Sequence, residues 1–240
     1  NQSIPEESTM YEASMTWISE NKTKFALICI VLGVVLTQWA WNVLFGIGVY
    51  EAYQPDQPIA FSHKVHAGDN QIDCNYCHSS ARNSKTAGIP TANVCMNCHK
   101  YITEGTNTGT TEIAKIHAAI DFSTETRSYG DDQKPIKWVK VHNLPDHVYF
   151  NHSQHVTVGK IKCQTCHGPI EEMTVAKQYS PLTMGWCINC HRETKVQMDG
   201  NEYYDEIHAR LSEESKESYL KDGMITVDEL GGLECAKCHY

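Results

Sequence analysis

The chain has 240 residues, of which eleven are cysteine and thirteen histidine. A hydrophobic share of 41% excludes a disordered chain, and 15 Gly with 8 Pro exclude a low-complexity one. A net charge of -9 removes the basic footprint that a nucleic-acid binder needs, and a mean hydropathy of -0.43 excludes a polytopic membrane protein but not a single anchor.

Residues 1–24 are polar and read as a cytoplasmic N-terminal segment. From Phe25 to Val49 there are 25 residues without a charge, enough for a transmembrane helix with some tilt. A signal-peptide core would be shorter and nearer the start, so the run is read as a retained anchor. Lys22 and Lys24 precede it, and Glu51 and Asp56 follow it. The positive-inside rule then predicts a single-pass protein of the inner membrane, with residues 50–240 in the periplasm. Gln38 and Asn42 share one helical face, and amides in lipid are costly. That face is expected to pack on a larger membrane subunit. Cys29 lies in the span and reads as inert packing.

Ten cysteines fall in five Cys-x-x-Cys pairs, and a histidine follows each pair at once. The five sites are Cys74/Cys77/His78, Cys95/Cys98/His99, Cys163/Cys166/His167, Cys187/Cys190/His191 and Cys235/Cys238/His239. This is the attachment pattern of c-type haem. Two thiols at this spacing reach the two vinyl groups of one porphyrin, and the adjacent imidazole binds the iron from one side. Zinc sites do not need a histidine after every second cysteine. A redox Cys-x-x-Cys usually occurs once, near a βαβ pattern that is absent here, and a disulfide framework leaves the five histidines unexplained.

A repeat reinforces this reading. Phe61-x-His63-x-x-His66 recurs as Phe150-x-His152-x-x-His155, and Cys74, Cys77 and His78 recur at Cys163, Cys166 and His167, all at an offset of 89 residues. The second sites recur at an offset of 92, from Cys95 to Cys187. The expected organisation is a first dihaem module at 50–104, a linker at 105–140, a second dihaem module at 141–195 and an acidic extension with the fifth site at 196–240. Five irons with two histidines each need five distal imidazoles. His63, His66, His152 and His155 supply four. For the fifth, His142 is favoured, ahead of His208, His117 and His147. A thioether from Met173 or Met184 is the remaining option.

With these residues the modules resemble the cytochrome c3/c7 group. The whole chain, including Val141-His142-Asn-Leu-Pro145-Asp146 and Met184-Gly-Trp186-Cys187, is similar to the pentahaem subunit of alternative complex III. The resemblance implies a relay of electrons from quinol through an iron–sulfur subunit to the five covalent haems. A monohaem cytochrome c or a terminal oxidase would then accept them. It implies polytopic quinol-binding subunits as partners, and an electron-transfer subunit rather than a catalyst alone.

The expected fold is mainly α with much loop and little sheet, packed around five covalent haems, plus the N-terminal transmembrane helix. From Arg192 to Glu234 twelve acids face five Lys/Arg, a net of -7. This reads as an ordinary solvated helix near 202–221, or else as a docking face for a basic redox partner. Two rival functions stay open: a self-sufficient membrane quinol dehydrogenase, and a multihaem nitrite- or hydroxylamine-type enzyme with one iron left open.

Overall fold

The computed structural model describes residues 6–197, 200–202, 206, 209–210 and 225–240. His208 and most of the acidic helix expected near 202–221 lie outside the described residues. The chain divides into two compact units, Asn1–Val49 and Tyr50–Tyr240.

In the first unit, α1 spans Glu6–Glu20 and α2 spans Lys22–Gly46. α2 has a mean hydropathy of 2.0 over its 18-residue apolar stretch, so by length and composition it can cross a membrane. Its side chains are apolar all round, which suits a lipid environment better than a core face. The polar groups within it bond locally. Thr37 Oγ1 donates to the Gly33 carbonyl at 2.7 Å, and Gln38 Nε2 donates to Asn42 Oδ1 at 3.1 Å. The amide pair expected to seek a neighbouring helix thus satisfies one donor and one acceptor internally.

The second unit is mostly helical with little sheet. A Cys-x-x-Cys pair needs only one helical turn to put both thiols on one face. Three of its helices are correspondingly short: α3 Cys74–Cys77, α6 Cys163–His167 and α8 Cys235–Cys238. Two are longer, α4 Ala92–His99 and α7 Met184–Glu193. Side-chain caps start α3, where Asp73 accepts from the Asn75 amide at 2.7 Å, and α7, where Thr183 accepts from Trp186. Helix α5, Thr111–Ala119, leads into a two-stranded hairpin, β1 Phe122–Ser123 with β2 Ser128–Tyr129. Ile59, Met96, Ile116, Ile120 and Phe122 form a buried cluster, with Ile136 and Trp138 packed against it. The stretch 105–140 therefore does more than connect two modules: it supplies most of this core.

Each Phe-x-His-x-x-His segment forms a π-helical turn, Lys64–Asp69 and Gln154–Val158. Bonds across five residues close them, from the Asn70 amide to the Val65 carbonyl and from the Gly159 amide to the Gln154 carbonyl. The two turns then dock reciprocally. The Lys64 amide donates to the Met173 carbonyl at 2.9 Å, and the Ser153 amide donates to the Ser84 carbonyl at 3.1 Å. Residues 64 and 153, like 84 and 173, are related by the repeat offset of 89. Gly68 packs on the Glu171 carbonyl, and Thr157 Oγ1 donates to the Arg82 carbonyl, again at equivalent positions. The modules thus face each other about a pseudo-two-fold axis, as the halves of an isologous dimer do.

Residues 225–240 dock on the second module through backbone bonds, from Val196 N to Ile225 O, Val227 N to Thr194 O and Asp228 N to His191 O. Ile225 is buried beneath them.

Gln178, 1% exposed, fastens the start of the second module. Its backbone joins Ala52 and Tyr53, its Oε1 accepts from the Asn143 amide, and its Nε2 donates to the Ser180 and Pro181 carbonyls. Gln178→Leu should lower the unfolding free energy by about 2–6 kcal/mol, because it strands at least two buried or part-buried backbone groups at roughly 1–3 kcal/mol each. Denaturant titration followed by far-UV circular dichroism checks this.

Candidate metal centres

Ten histidines stand in five facing pairs. His63 faces His78 with ring centroids 6.4 Å apart and planes 11° apart. His152 faces His167 at 6.5 Å and 10°. His66 faces His99 at 6.1 Å, and His155 faces His191 at 6.2 Å. His147 faces His239 at 5.5 Å and 21°. These gaps are too wide for contact and of the right width for one intervening ion. Two imidazole nitrogens each roughly 2 Å from a first-row metal put their ring centres about 6 Å apart.

Ring tautomers agree with this. In the pairs, Nδ1 of His78, His99, His191 and His239 meets the carbonyls of Gly88, Ile102, Gly232 and His147, at 2.6, 2.9, 2.8 and 3.3 Å. Nδ1 of His66, His152 and His155 meets the carbonyls of Ser62, Lys85 and Asn151, each at 2.8 Å. A carbonyl can only accept, so in each ring Nδ1 carries the proton and Nε2 keeps a free lone pair. Burial, helped by neighbouring imidazoles, pushes His63 down to about 4 and His167 down to about 3. His155 is lowered chiefly by burial as well. Such rings stay neutral, the form that binds a metal.

The phenylalanine of each motif locks its two histidines. Phe61 meets His63 edge-on at 5.0 Å and stacks on His66 at 4.3 Å. Phe150 meets His152 edge-on at 4.9 Å and stacks on His155 at 4.4 Å. Each such pair contributes about 0.5–1.5 kcal/mol beyond area burial.

The structure departs from the sequence expectation at the fifth pair. His142, favoured there, instead stands against the back of His167, with His142 Nε2 3.1 Å from His167 Nδ1 and the rings at 83°. His147 takes the place opposite His239 because Val148 pairs with His239 and the Tyr149 amide donates to the Cys238 carbonyl. His117 is buried and uses Nε2 on the His99 carbonyl at 2.8 Å. Met173 is a buried core residue, and Met184 is exposed.

The thiols sit beside these pairs. Burial raises Cys74, Cys77, Cys95 and Cys187 above the usual thiol range and Cys166 to about 11. Neighbouring thiols add to this and show which sites adjoin. Cys77 feels Cys98, and Cys95 feels Cys77. Cys74 feels Cys163 across the pseudo-two-fold axis. Cys166 feels Cys190 and Cys187, and Cys187 feels Cys238. The five sites therefore form a row, second–first–third–fourth–fifth, although the chain visits them in another order. Among the described residues no group of three or more His, Cys, Asp or Glu side chains is placed to hold a metal ion. Paired axial imidazoles next to one-turn Cys-x-x-Cys helices fit covalently held haem.

Residues 130–240 match the model of the class III cytochrome c family. Over 138 residues the chain is 30% identical to the menaquinone reductase, multihaem cytochrome c subunit, of Nitratidesulfovibrio vulgaris. That match covers 58% of this chain and 55% of the other, so the chain spans about half the length of the relative.

Gly168 follows His167 directly, at φ +67 and ψ -164, a region only glycine enters freely. A β-carbon there would also run into the Tyr179 ring. Gly168→Ala should cost about 1–3 kcal/mol in backbone strain alone. Unfolding followed at the haem absorption band, compared with the wild type, gives the value.

Proposed function

Because residues 130–240 form a class III, c3-type multihaem cytochrome c domain, a family that implies covalent c-type haems, we propose that the whole chain is a pentahaem electron relay of a quinone-linked respiratory complex. The first module repeats the second at an offset of 89 residues, and this extends the reading to residues 50–104. The single observation that carries it is the set of five histidine pairs, each spaced for one iron and each beside its own Cys-x-x-Cys.

The attachment residues are the ten cysteines of the five pairs. The proximal ligands are His78, His99, His167, His191 and His239. The distal ligands are His63, His66, His152, His155 and, at the fifth site, His147. A haem held by these residues would supply one-electron chemistry. The chain's residues do the rest. Backbone carbonyls fix the imidazole tautomers, the phenylalanines hold the rings, and the reciprocal docking brings Cys74 to Cys163. Two facing histidines at every site favour a relay over the rival reading of a nitrite- or hydroxylamine-type enzyme, which needs an open iron.

The relative's name assigns such a subunit to menaquinone reduction. The resemblance to alternative complex III runs the other way, from quinol towards a cytochrome c or an oxidase. A relay of single electrons serves either direction, and quinone-linked transfer is what the two have in common. We place the haem domain in the periplasm, tethered by α2, beside an iron–sulfur subunit and polytopic quinone-binding subunits. Co-purification of these subunits from solubilised membranes, tracked by haem stain, supports the complex. Quinol oxidation by the isolated chain would favour the self-sufficient dehydrogenase instead.

Pyridine haemochrome assay and intact mass should give five haems per chain. His147→Ala should turn one of five low-spin haems high-spin in the electron paramagnetic resonance spectrum, whereas His142→Ala should leave all five low-spin.

A further inference from the structure

The pseudo-two-fold axis relates the first and third sites, so their surroundings can be compared residue by residue. Most contacts repeat across it: the phenylalanine clamps, the π-helical turns, the reciprocal backbone bonds and the Cys74–Cys163 contact. Two contacts do not. At the first site the proximal His78 donates Nδ1–H to a backbone carbonyl, that of Gly88. At the third site the proximal His167 points Nδ1 at a second imidazole, His142. The repeat offset puts Tyr53 where the first half would need an equivalent of His142. The distal ligands differ too: His152 donates Nδ1–H to the Lys85 carbonyl, whereas His63 Nδ1 is buried without a partner.

We propose that His142 is a positioning residue for the third site, which accepts the Nδ1 proton of His167 and makes that iron more electron-rich than its symmetry mate. This rests on the bis-histidine reading given above. The donor and acceptor follow from geometry. The His167 ring faces His152 while its Nδ1 is on His142, so Nε2 is the atom left for the iron and the proton is on Nδ1. His142 Nε2, 3.1 Å away, accepts it with its lone pair. An imidazole nitrogen is a stronger base than an amide carbonyl, so it draws the shared proton further and leaves more negative charge on the ligand ring. Hydrogen bonding behind a ligating histidine raises its basicity, and a more basic axial ligand favours the ferric state. At the first site the bond behind His78 goes only to a carbonyl, and His63 has none.

His142 is itself held by fixed groups. The next amide, of Asn143, donates to the buried Gln178 Oε1 at 3.3 Å, and the rings of His142 and His167 meet edge to face at 4.4 Å. Among the five proximal histidines, the four other than His167 use backbone carbonyls, which no substitution removes. Among the described residues, His167 is the one proximal histidine with a side chain as its outer partner, so a substitution there can alter the outer bond.

The test is a potentiometric titration of the full-length haem-loaded chain, resolved into its five components, for wild type, His142→Leu and His142→Gln. Haem content by pyridine haemochrome is measured first, because fewer than five haems in the wild type defeats the bis-histidine reading rather than this one. With five haems present, His142→Leu should raise one midpoint potential and leave four in place, with all irons low-spin. His142→Gln, which restores an acceptor oxygen, should return that midpoint part of the way. Five unchanged midpoints, or a uniform shift of all five, would overturn the proposal. A new high-spin signal in His142→Leu would also overturn it, since His142 would then be a ligand. If His142→Leu does not mature, the Gln variant and electron–nuclear double resonance of the wild-type His167 Nδ1 proton decide. A proton bond no different from that of His78 would refute the idea.

Discussion

The structure depends on keeping facing pairs of imidazole rings 5.5–6.5 Å apart, centre to centre. Nothing in a short polar peptide favours this. Two lone pairs aimed at one another repel, and burying a ring costs solvation. The chain meets both costs through Nδ1: in seven of the ten paired rings it donates to a backbone carbonyl. Those carbonyls are available because the backbone is irregular around the sites. π-helical turns, one-turn helices and loops leave acceptors that a long helix or a sheet would consume internally.

The same requirement explains the thin polypeptide core. Nine apolar side chains are buried among the described residues, and most of them gather around α4, α5 and the hairpin. The second module has almost no such cluster. Instead it has backbone bonds to the first module and to residues 225–240. Its order therefore comes from hydrogen bonding across the pseudo-two-fold axis and from what the cysteines and histidines hold. In the row of sites, the first and third are neighbours because the axis passes between Cys74 and Cys163. Two copies of one module with two Cys-x-x-Cys-His sites, docked face to face, yield a continuous row without any new contact chemistry.

The sequence revealed the parts governed by local spacing. The Cys-x-x-Cys-His turns, the two Phe-x-His-x-x-His motifs and the 89-residue offset all rest on contacts within a few residues. The apolar run of α2 was legible for the same reason. Spacing could not rank His142 against His147, because neither lies in a repeated motif. What sets His147 opposite His239 is the bridge between Val148 and His239, which joins segments some ninety residues apart. Nor did the sequence show that residues 105–140 carry a core. Ile113, Ile116 and Ile120 have helical spacing, but their burial depends on Ile59 and Met96 from before the segment.

The two ends of the row show how a fifth site can be added to a duplicated module. At the second site, His99 finds its acceptor three residues on, at Ile102. At the fourth site, the equivalent His191 finds it at Gly232, 41 residues on. The C-terminal segment has displaced the local acceptor, and the Asp228 amide also bonds the His191 carbonyl. Cys238 then lies beside Cys187, and His239 beside His147. The contact that completes the fourth site thus also positions the fifth. A terminal site grafted this way is not independent of its neighbour: loosening residues 225–234 would disturb both His191 and His239. The symmetric centre is held by reciprocal bonds that support each other, whereas the grafted end relies on one segment for two histidine pairs.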